Sequence, residues 1–216
     1  MTKSGVPTAR GPLLDWHRQA GGRIENVDGW DVCVSYPAHD FASEDVLVDW
    51  SHRRVREING PGTAELVRQV CGEDLAVRRM TAANRFQLCR LTTGRAVVFG
   101  ECAEGLLDGP EVLDVTGGWG TVVLAGPAAH EILAKVTSID LRDASFPVQD
   151  CCQVPIRGVN TLLCRWDDYW ALHACPDSLR FLWDVLWDAG NEFALRPVGN
   201  DWLVEQGIAD SRKLGG

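Results

Sequence analysis

The chain has 216 residues, 45% of them hydrophobic and 24% charged, with 21 Lys and Arg against 30 Asp and Glu for a formal net charge of −9. That length is one large domain or two small ones, and the ordinary globular composition excludes disorder as the main state. A negative chain without a run of Lys or Arg lacks the attraction on which binding to nucleic-acid backbones or anionic lipid depends, and no apolar stretch approaches the ~20 residues of a membrane span.

Met1 to Gln19 carries no apolar core of the signal-peptide kind, which places the chain in the cytoplasm. An internal repeat begins near residue 46. Val46-Leu-Val-Asp-Trp-Ser-His-Arg-Arg-Val-Arg-Glu-Ile-Asn-Gly-Pro61 lies on Val112-Leu-Asp-Val-Thr-Gly-Gly-Trp-Gly-Thr-Val-Val-Leu-Ala-Gly-Pro127 with Asp49 on Asp114, and Asp74-Leu75 later falls on Asp140-Leu141. Two copies of this length are a duplicated supersecondary unit, not a solenoid. Each unit reads as a strand (54–58; 121–124), then Gly-Pro, then a short helix whose apolar positions Leu66, Val67 and Val70 match Ile132, Leu133 and Val136 on one face. The proline suits the first helical position, where its missing N–H has no partner to lose. Extended segments follow at 85–91 and 94–100 in the first copy, and at 159–165 and 169–174 in the second. The pattern predicts an α+β fold of antiparallel sheets covered by helices, with repeats over about 46–100 and 112–175 inside one domain of 11–199.

A helix over 176–189 starts at proline and stops at Gly190, where a left-handed cap fits. Leu179, Phe181, Leu182, Trp183, Val185, Leu186 and Trp187 are too many for one face, so two faces are covered, either both within the domain or one by another chain, a protein partner or a second copy. The Gly- and charge-rich stretch 200–216 reads as a loose tail. The eight cysteines form no C-x-x-C and read as free, partly buried thiols, so no metal site is expected.

Gly11-Pro12-Leu13-Leu14-Asp15-Trp16-His17, Gly29-Trp30-Asp31 to Tyr36, and Asp49-Trp50-Ser51-His52 together resemble, in order and spacing, the start of a glycine-cleavage T-protein (aminomethyltransferase) of the folate-binding superfamily. From Asp114 through Gly126-Pro127, Asp140 to Pro147 and His173 to Gly190, the chain is also similar to the gamma subunit of heterotetrameric sarcosine oxidase. The resemblance spans roughly residues 11 to 199. It implies two similar α+β halves around a central folate-type cavity, without the C-terminal β-barrel of full-length T-proteins. It further implies tetrahydrofolate as cofactor and acceptor. Two departures stand out. Between Gly100 and Asp114 the chain runs straight to the second copy, where the family places a segment bearing its catalytic Asp, and Glu101 or Asp108 substitutes only if the loop refolds. Arg165-Trp166-Asp167-Asp168-Tyr169-Trp170 replaces the turn whose carboxylate helps hold the pterin.

The resemblance makes Tyr36 and His52 the catalytic proton donors, since a leaving alkoxide or phenoxide needs an acid and His titrates near neutrality. Each also has a structural reading, His52 capping the turn after the Asp49 strand and Tyr36 as a partly buried ring. Trp30 and Trp50 are walls for a flat ligand or core residues. Asp49 and Glu101 are candidate ligand-binding carboxylates, although the recurrence of Asp49 as Asp114 argues for an architectural role. Arg165 with Asp168 is a carboxylate or amine binder, or a solvated turn. Two functions from different classes follow. One is a tetrahydrofolate-dependent methyl or aminomethyl transferase of one-carbon metabolism, demethylase-like and acting on a small molecule. The other is a non-catalytic gamma-like subunit of a sarcosine-oxidase-type flavoenzyme. A cavity turned to another small molecule without folate is the variant of the first.

Overall fold

A computed structural model describes residues 8–37, 44–83, 86–103 and 105–209. In chain order the elements are β1 (Ala9–Arg10), α1 (Leu14–Gln19), β2 (Arg23–Val27), β3 (Trp30–Ser35), β4 (Val46–Asp49), β5 (Val55–Asn59), α2 (Thr63–Cys71), β6 (Met80–Ala83), β7 (Phe86–Thr92), β8 (Arg95–Gly100), β9 (Val112–Asp114), β10 (Gly120–Ala125), α3 (Ala129–Val136), β11 (Cys151–Ile156), β12 (Val159–Arg165), β13 (Tyr169–Ala174), α4 (Pro176–Gly190), β14 (Arg196–Val198) and α5 (Asn200–Glu205). They form three sheets, ordered β1-β3-β2, β11-β12-β13-β10-β4-β14 and β6-β7-β8-β5-β9. Pairing is antiparallel except for β1 on β3 and β14 on β4. The fold class is therefore α+β, as the sequence pattern requires, and no helix among the described residues is long and apolar enough to cross a membrane.

The two large sheets are built alike. In each, a repeat contributes strand, helix and three further strands: β5-α2-β6-β7-β8 in one sheet, β10-α3-β11-β12-β13 in the other. The strand that precedes each repeat crosses over. β4 pairs with β10 of the second repeat (Asp49↔Val122), and β9 pairs with β5 of the first (Asp114↔Arg56), at equivalent registers. Each half thus completes the sheet of the other, which locks the duplicated halves into one body.

The helices sit where the apolar period puts them. Val67 of α2 is fully buried against Ile58, Leu88, Ala96 and Val98 of one sheet, and Ile132 and Leu133 of α3 against Val122, Leu124 and Leu172 of the other. Between the sheets, Val55, Cys89, Val97, Phe99, Cys164 and Ala171 form a shared apolar layer. Each helix entry needs a glycine with left-handed φ. Gly60 (φ 141°) and Gly126 (φ 118°) bring the chain so close to Glu111 and Asp45 that a Cβ would lie 2.5 and 2.4 Å from their carboxylate oxygens. Those carboxylates accept the N–H groups that open the helices, Glu111 from Gly62 at 3.0 Å and Asp45 from Ala128 at 2.8 Å. The prolines lie ahead of the helix caps Gly62 and Ala128, not at the first helical position.

α4 buries Leu179, Leu182, Trp183 and Leu186, and its second face is largely covered from within the chain, by Trp16 of α1 edge-on to Trp183 and Trp187 at 4.9 and 5.7 Å. Phe181 stays 53% exposed. Gly190 does not take the left-handed cap. Its φ is −87°, a 3₁₀ turn Asn191–Phe193 follows, and Ala194 (φ 55°) reverses the chain. Glycine is required there for a different reason: a Cβ would sit 2.4 Å from the Leu195 side chain. Of the stretch expected to be a loose tail, residues 200–209 are described and open with a helix, while 210–216 lie outside the described residues. α5 buries Leu203, and the Asn200 amide donates to the Cys33 carbonyl at 3.1 Å and the Asp49 carbonyl at 2.8 Å, stitching β3 to β4.

Candidate functional site

The most organised polar cluster lies where α1, the end of β3 and the end of β4 meet. Leu13, Leu14 and His17 share one face of the α1 turn, so the apolar anchoring of the leucines carries His17 inward to 2% exposure. β3 ends one residue before Tyr36, and β4 ends on Asp49. Tyr36 Oη and His17 Nδ1 are 2.5 Å apart, and His17 Nε2 is 3.2 Å from Asp49 Oδ2. A carboxylate only accepts, so Nε2–H donates to Asp49, and in the tautomer that carries its proton there Nδ1 accepts the Tyr36 hydroxyl proton. The other Asp49 oxygen accepts the Ser51 N–H at 3.0 Å and the Ser51 hydroxyl in a very short contact.

The electrostatics follow from those bonds. Burial by itself raises the Asp49 carboxyl, but the hydrogen bonds it accepts from His17 and from the Ser51 hydroxyl and amide outweigh that and hold the group below the usual carboxylate range. Burial, reinforced by the neighbouring Cys33 and Asp49, pushes the Tyr36 phenol well above its ordinary value. Tyr36 therefore keeps its proton and serves as a donor to His17, a poor source of protons for a substrate. His52 and Trp30 stand at the rim of this cluster. With Gly11, Leu14 and Val32 they enclose about 10 Å³ against His17, Asp49 and Ser51. That is the lower limit for a single water.

The remaining candidates are dispersed. Trp50 joins the Val46–Val48–Val123 cluster and lies under Arg53, so Trp30 and Trp50 belong to different clusters and do not face each other as two walls. Glu101 pairs with Arg54 and Arg56 at 3.7 and 3.8 Å, just past the end of β8. Arg165 is structural: it donates to the Phe146 and Leu141 carbonyls at 2.7 and 3.4 Å and pairs with Asp143 at 2.6 Å, tying down the 141–147 loop. Asp168 is exposed in the β12–β13 turn. His17, Arg53, Gln87 and Tyr169 were not among the candidates. His17 was visible as the end of the Gly11–His17 motif and as a histidine three and four residues after two leucines, without a role assigned to it.

The chain matches the GCVT N-terminal domain over residues 73–203. It belongs to that family. It is 23% identical to the aminomethyltransferase of Natranaerobius thermophilus and 24% identical to that of Halalkalibacterium halodurans, in both cases over 87% of this chain and 60% of the relative, so it spans about 60% of the length of these curated relatives. Among solved structures it is similar to heterotetrameric sarcosine oxidase from Corynebacterium sp. U-96 in complex with pyrrole 2-carboxylate (TM-score 0.64, 20% identity, 86% of this chain and 96% of that one). It is also similar to glycine cleavage system aminomethyltransferase T from Bartonella henselae (TM-score 0.66, 19% identity, 89% and 60%). At these identities the likeness establishes the fold.

Whether this GCVT-family chain suits a pterin is decided by its donor set. The buried side-chain N and O atoms left without a partner among the described residues are Arg90 Nε, Trp166 Nε1, Trp183 Nε1 and Asn200 Oδ1, none of them a carboxylate oxygen. Asp49 is committed to His17 and Ser51. In the space between the large sheets, Phe99 stacks on His173 at 3.9 Å and Arg53 fills the gap above Trp50. These residues do not fit a pterin held by a buried carboxylate, and no catalytic step is assigned through one.

Proposed function

We propose that the chain is a non-catalytic, GCVT-fold subunit that docks on a larger, flavin-containing partner in an assembly of the sarcosine-oxidase type. The observation that carries this reading is the closure of its polar cluster. Tyr36, His17, Asp49 and Ser51 bond to one another in series, so the proton of Tyr36 and the carboxylate of Asp49 are both engaged within the cluster and neither is turned towards a substrate. Support comes from the sarcosine oxidase neighbour, a chain of a heterotetramer that this fold matches over 96% of its length. The exposed Phe181 on α4 gives a partner an apolar point of contact. In this reading residues 11–199 form one domain of two repeats, the chain works in the cytoplasm, and the small-molecule substrate binds on the partner.

The second reading is tetrahydrofolate-dependent methyl or aminomethyl transfer, favoured by identity to aminomethyltransferases along 87% of the chain. There, Tyr36 and His52 are the proton donors, and Asp49 acts on the substrate only after His17 moves away.

The test is to isolate the affinity-tagged chain from its native cell and measure mass and visible absorbance together. The subunit reading expects a hetero-oligomer with flavin absorbance that oxidises a methylated amine. A colourless monomer or homodimer that transfers methyl or aminomethyl groups to tetrahydrofolate on its own contradicts it.

A further inference from the structure

Between the two large sheets lies a cation with no carboxylate partner among the described residues. Arg53, in the crossing from β4 to β5, is 8% exposed. Its Nη1 donates to Gln87 Oε1 at 2.8 Å, its Nη2 to the Phe99 carbonyl at 2.7 Å, and its Cζ lies 3.8 Å from the Trp50 ring centroid. Burial draws the guanidinium down to about 10. The groups that act on it electrostatically are Tyr169, Cys89 and Cys164, with no carboxylate among them. Taking a cation out of water is expensive, and proteins ordinarily offset that with an acidic partner.

What surrounds Arg53 is matched to shape instead. An indole face supports the plane, and two carbonyl oxygens receive its N–H edge. The side-chain acceptor is held in place, because Gln87 Nε2 donates to Tyr169 Oη at 2.7 Å and so keeps Oε1 turned towards the arginine. His173, neutral through burial and the nearby Arg53, stacks on Phe99 and adds no charge to the site. A planar fork on an aromatic face is the arrangement in which arginine and lysine are least interchangeable.

We infer that Arg53 is the built-in occupant of a cradle for a planar guanidine-type group, with Trp50 as its stacking face and Gln87 Oε1 and the Phe99 carbonyl as its acceptors. In the native chain the cradle is closed by the protein's own side chain. Removal of that side chain leaves a site with a defined ligand preference. The inference is independent of whether the chain docks on a partner.

The experiment is chemical rescue of Arg53→Ala, followed by thermal unfolding and Trp fluorescence at constant ionic strength. Ethylguanidinium is expected to raise the midpoint of the variant saturably and to change its Trp emission, with no such effect on the unsubstituted chain. Ethylammonium, which has the charge but not the planar fork, is expected to be about tenfold less effective. Gln87→Leu added to Arg53→Ala is expected to abolish the rescue. A folded Arg53→Ala that ethylguanidinium does not stabilise, or one that ethylammonium stabilises equally, overturns the inference. Should Arg53→Ala accumulate only as aggregate, refolding it in either cation gives the same decision: recovery with ethylguanidinium alone supports the cradle, and recovery with neither or both overturns it.

Discussion

The two halves of the molecule carry the same device in different surroundings. After β4, Asp49 accepts the Ser51 N–H, and Ser51 Oγ accepts the Thr121 N–H at 3.1 Å; after β9, Asp114 accepts the Thr116 N–H at 3.0 Å, and Thr116 Oγ1 accepts the Val55 N–H at 3.0 Å. In both, an aspartate shapes the turn and a hydroxyl pins it to the first strand of the repeat with which the preceding strand pairs. The difference lies outside the device. The Asp49 side chain is 13% exposed and bonded to His17, whereas that of Asp114 is 51% exposed beside Arg54. Val48 is likewise sealed under Val198 and Leu203, while its counterpart Leu113 is 60% exposed, because β14 and α5 cover β4 and no described segment covers β9. A residue that looks catalytic through burial and a perturbed carboxyl is therefore, in its twin, an ordinary turn aspartate.

That contrast is open to direct attack. Asp49→Ala is expected to cost about 3–5 kcal/mol of unfolding free energy in urea, since it strands buried donors, against about 0.5–1 kcal/mol for Asp114→Ala. Equal losses would show that burial is not what separates the two. Val48→Ala is expected to cost about 2 kcal/mol in the same measurement and Leu113→Ala almost nothing, because only the first opens a cavity. Tyr36→Phe leaves His17 Nδ1 without its donor, for a loss of about 1–2 kcal/mol. At the small end, Asp168→Ala is expected to stay within about 0.5 kcal/mol.

The pH dependence sharpens the same comparison. Asp49 is depressed in the folded chain, so its stabilisation is complete above its unfolded value of about 3.9 and is lost as pH falls through the lower folded value. Asp49→Asn should flatten the stability profile below about pH 4. Asp114 is depressed too, first by the Thr116 hydroxyl and amide, but its exposure makes the change for Asp114→Asn smaller. Acid unfolding followed by circular dichroism checks both profiles.

Much of the architecture was legible because it is local. Alternation in 54–58 and 121–124, Gly-Pro turns and matched apolar triplets in α2 and α3 all act within a few residues of where they are read. The exchange of β4 and β9 between halves was hidden, since strand partners are chosen across the chain by pairing that no short pattern records. The same holds for the site. Tyr36 and Asp49 were visible in their motifs, but the residue that joins them, His17, sits in a six-residue helix too short for a period to declare its buried face. Gly190 was read as a cap because glycine favours left-handed φ, when its cause is the close approach of Leu195. Trp50 was read as a wall for a flat ligand or as a core residue; it packs in a core cluster, and the plane stacked on it is Arg53, which carries no sequence mark.

The central claim is that the Tyr36–His17–Asp49 cluster holds the chain together and does not serve a folate substrate. Calorimetric titration of the folded, monodisperse protein with tetrahydrofolate tests it most directly. The account predicts no saturable heat. One-to-one binding that His52→Ala or Tyr36→Phe weakens, in variants that remain folded, would contradict it and restore the transferase.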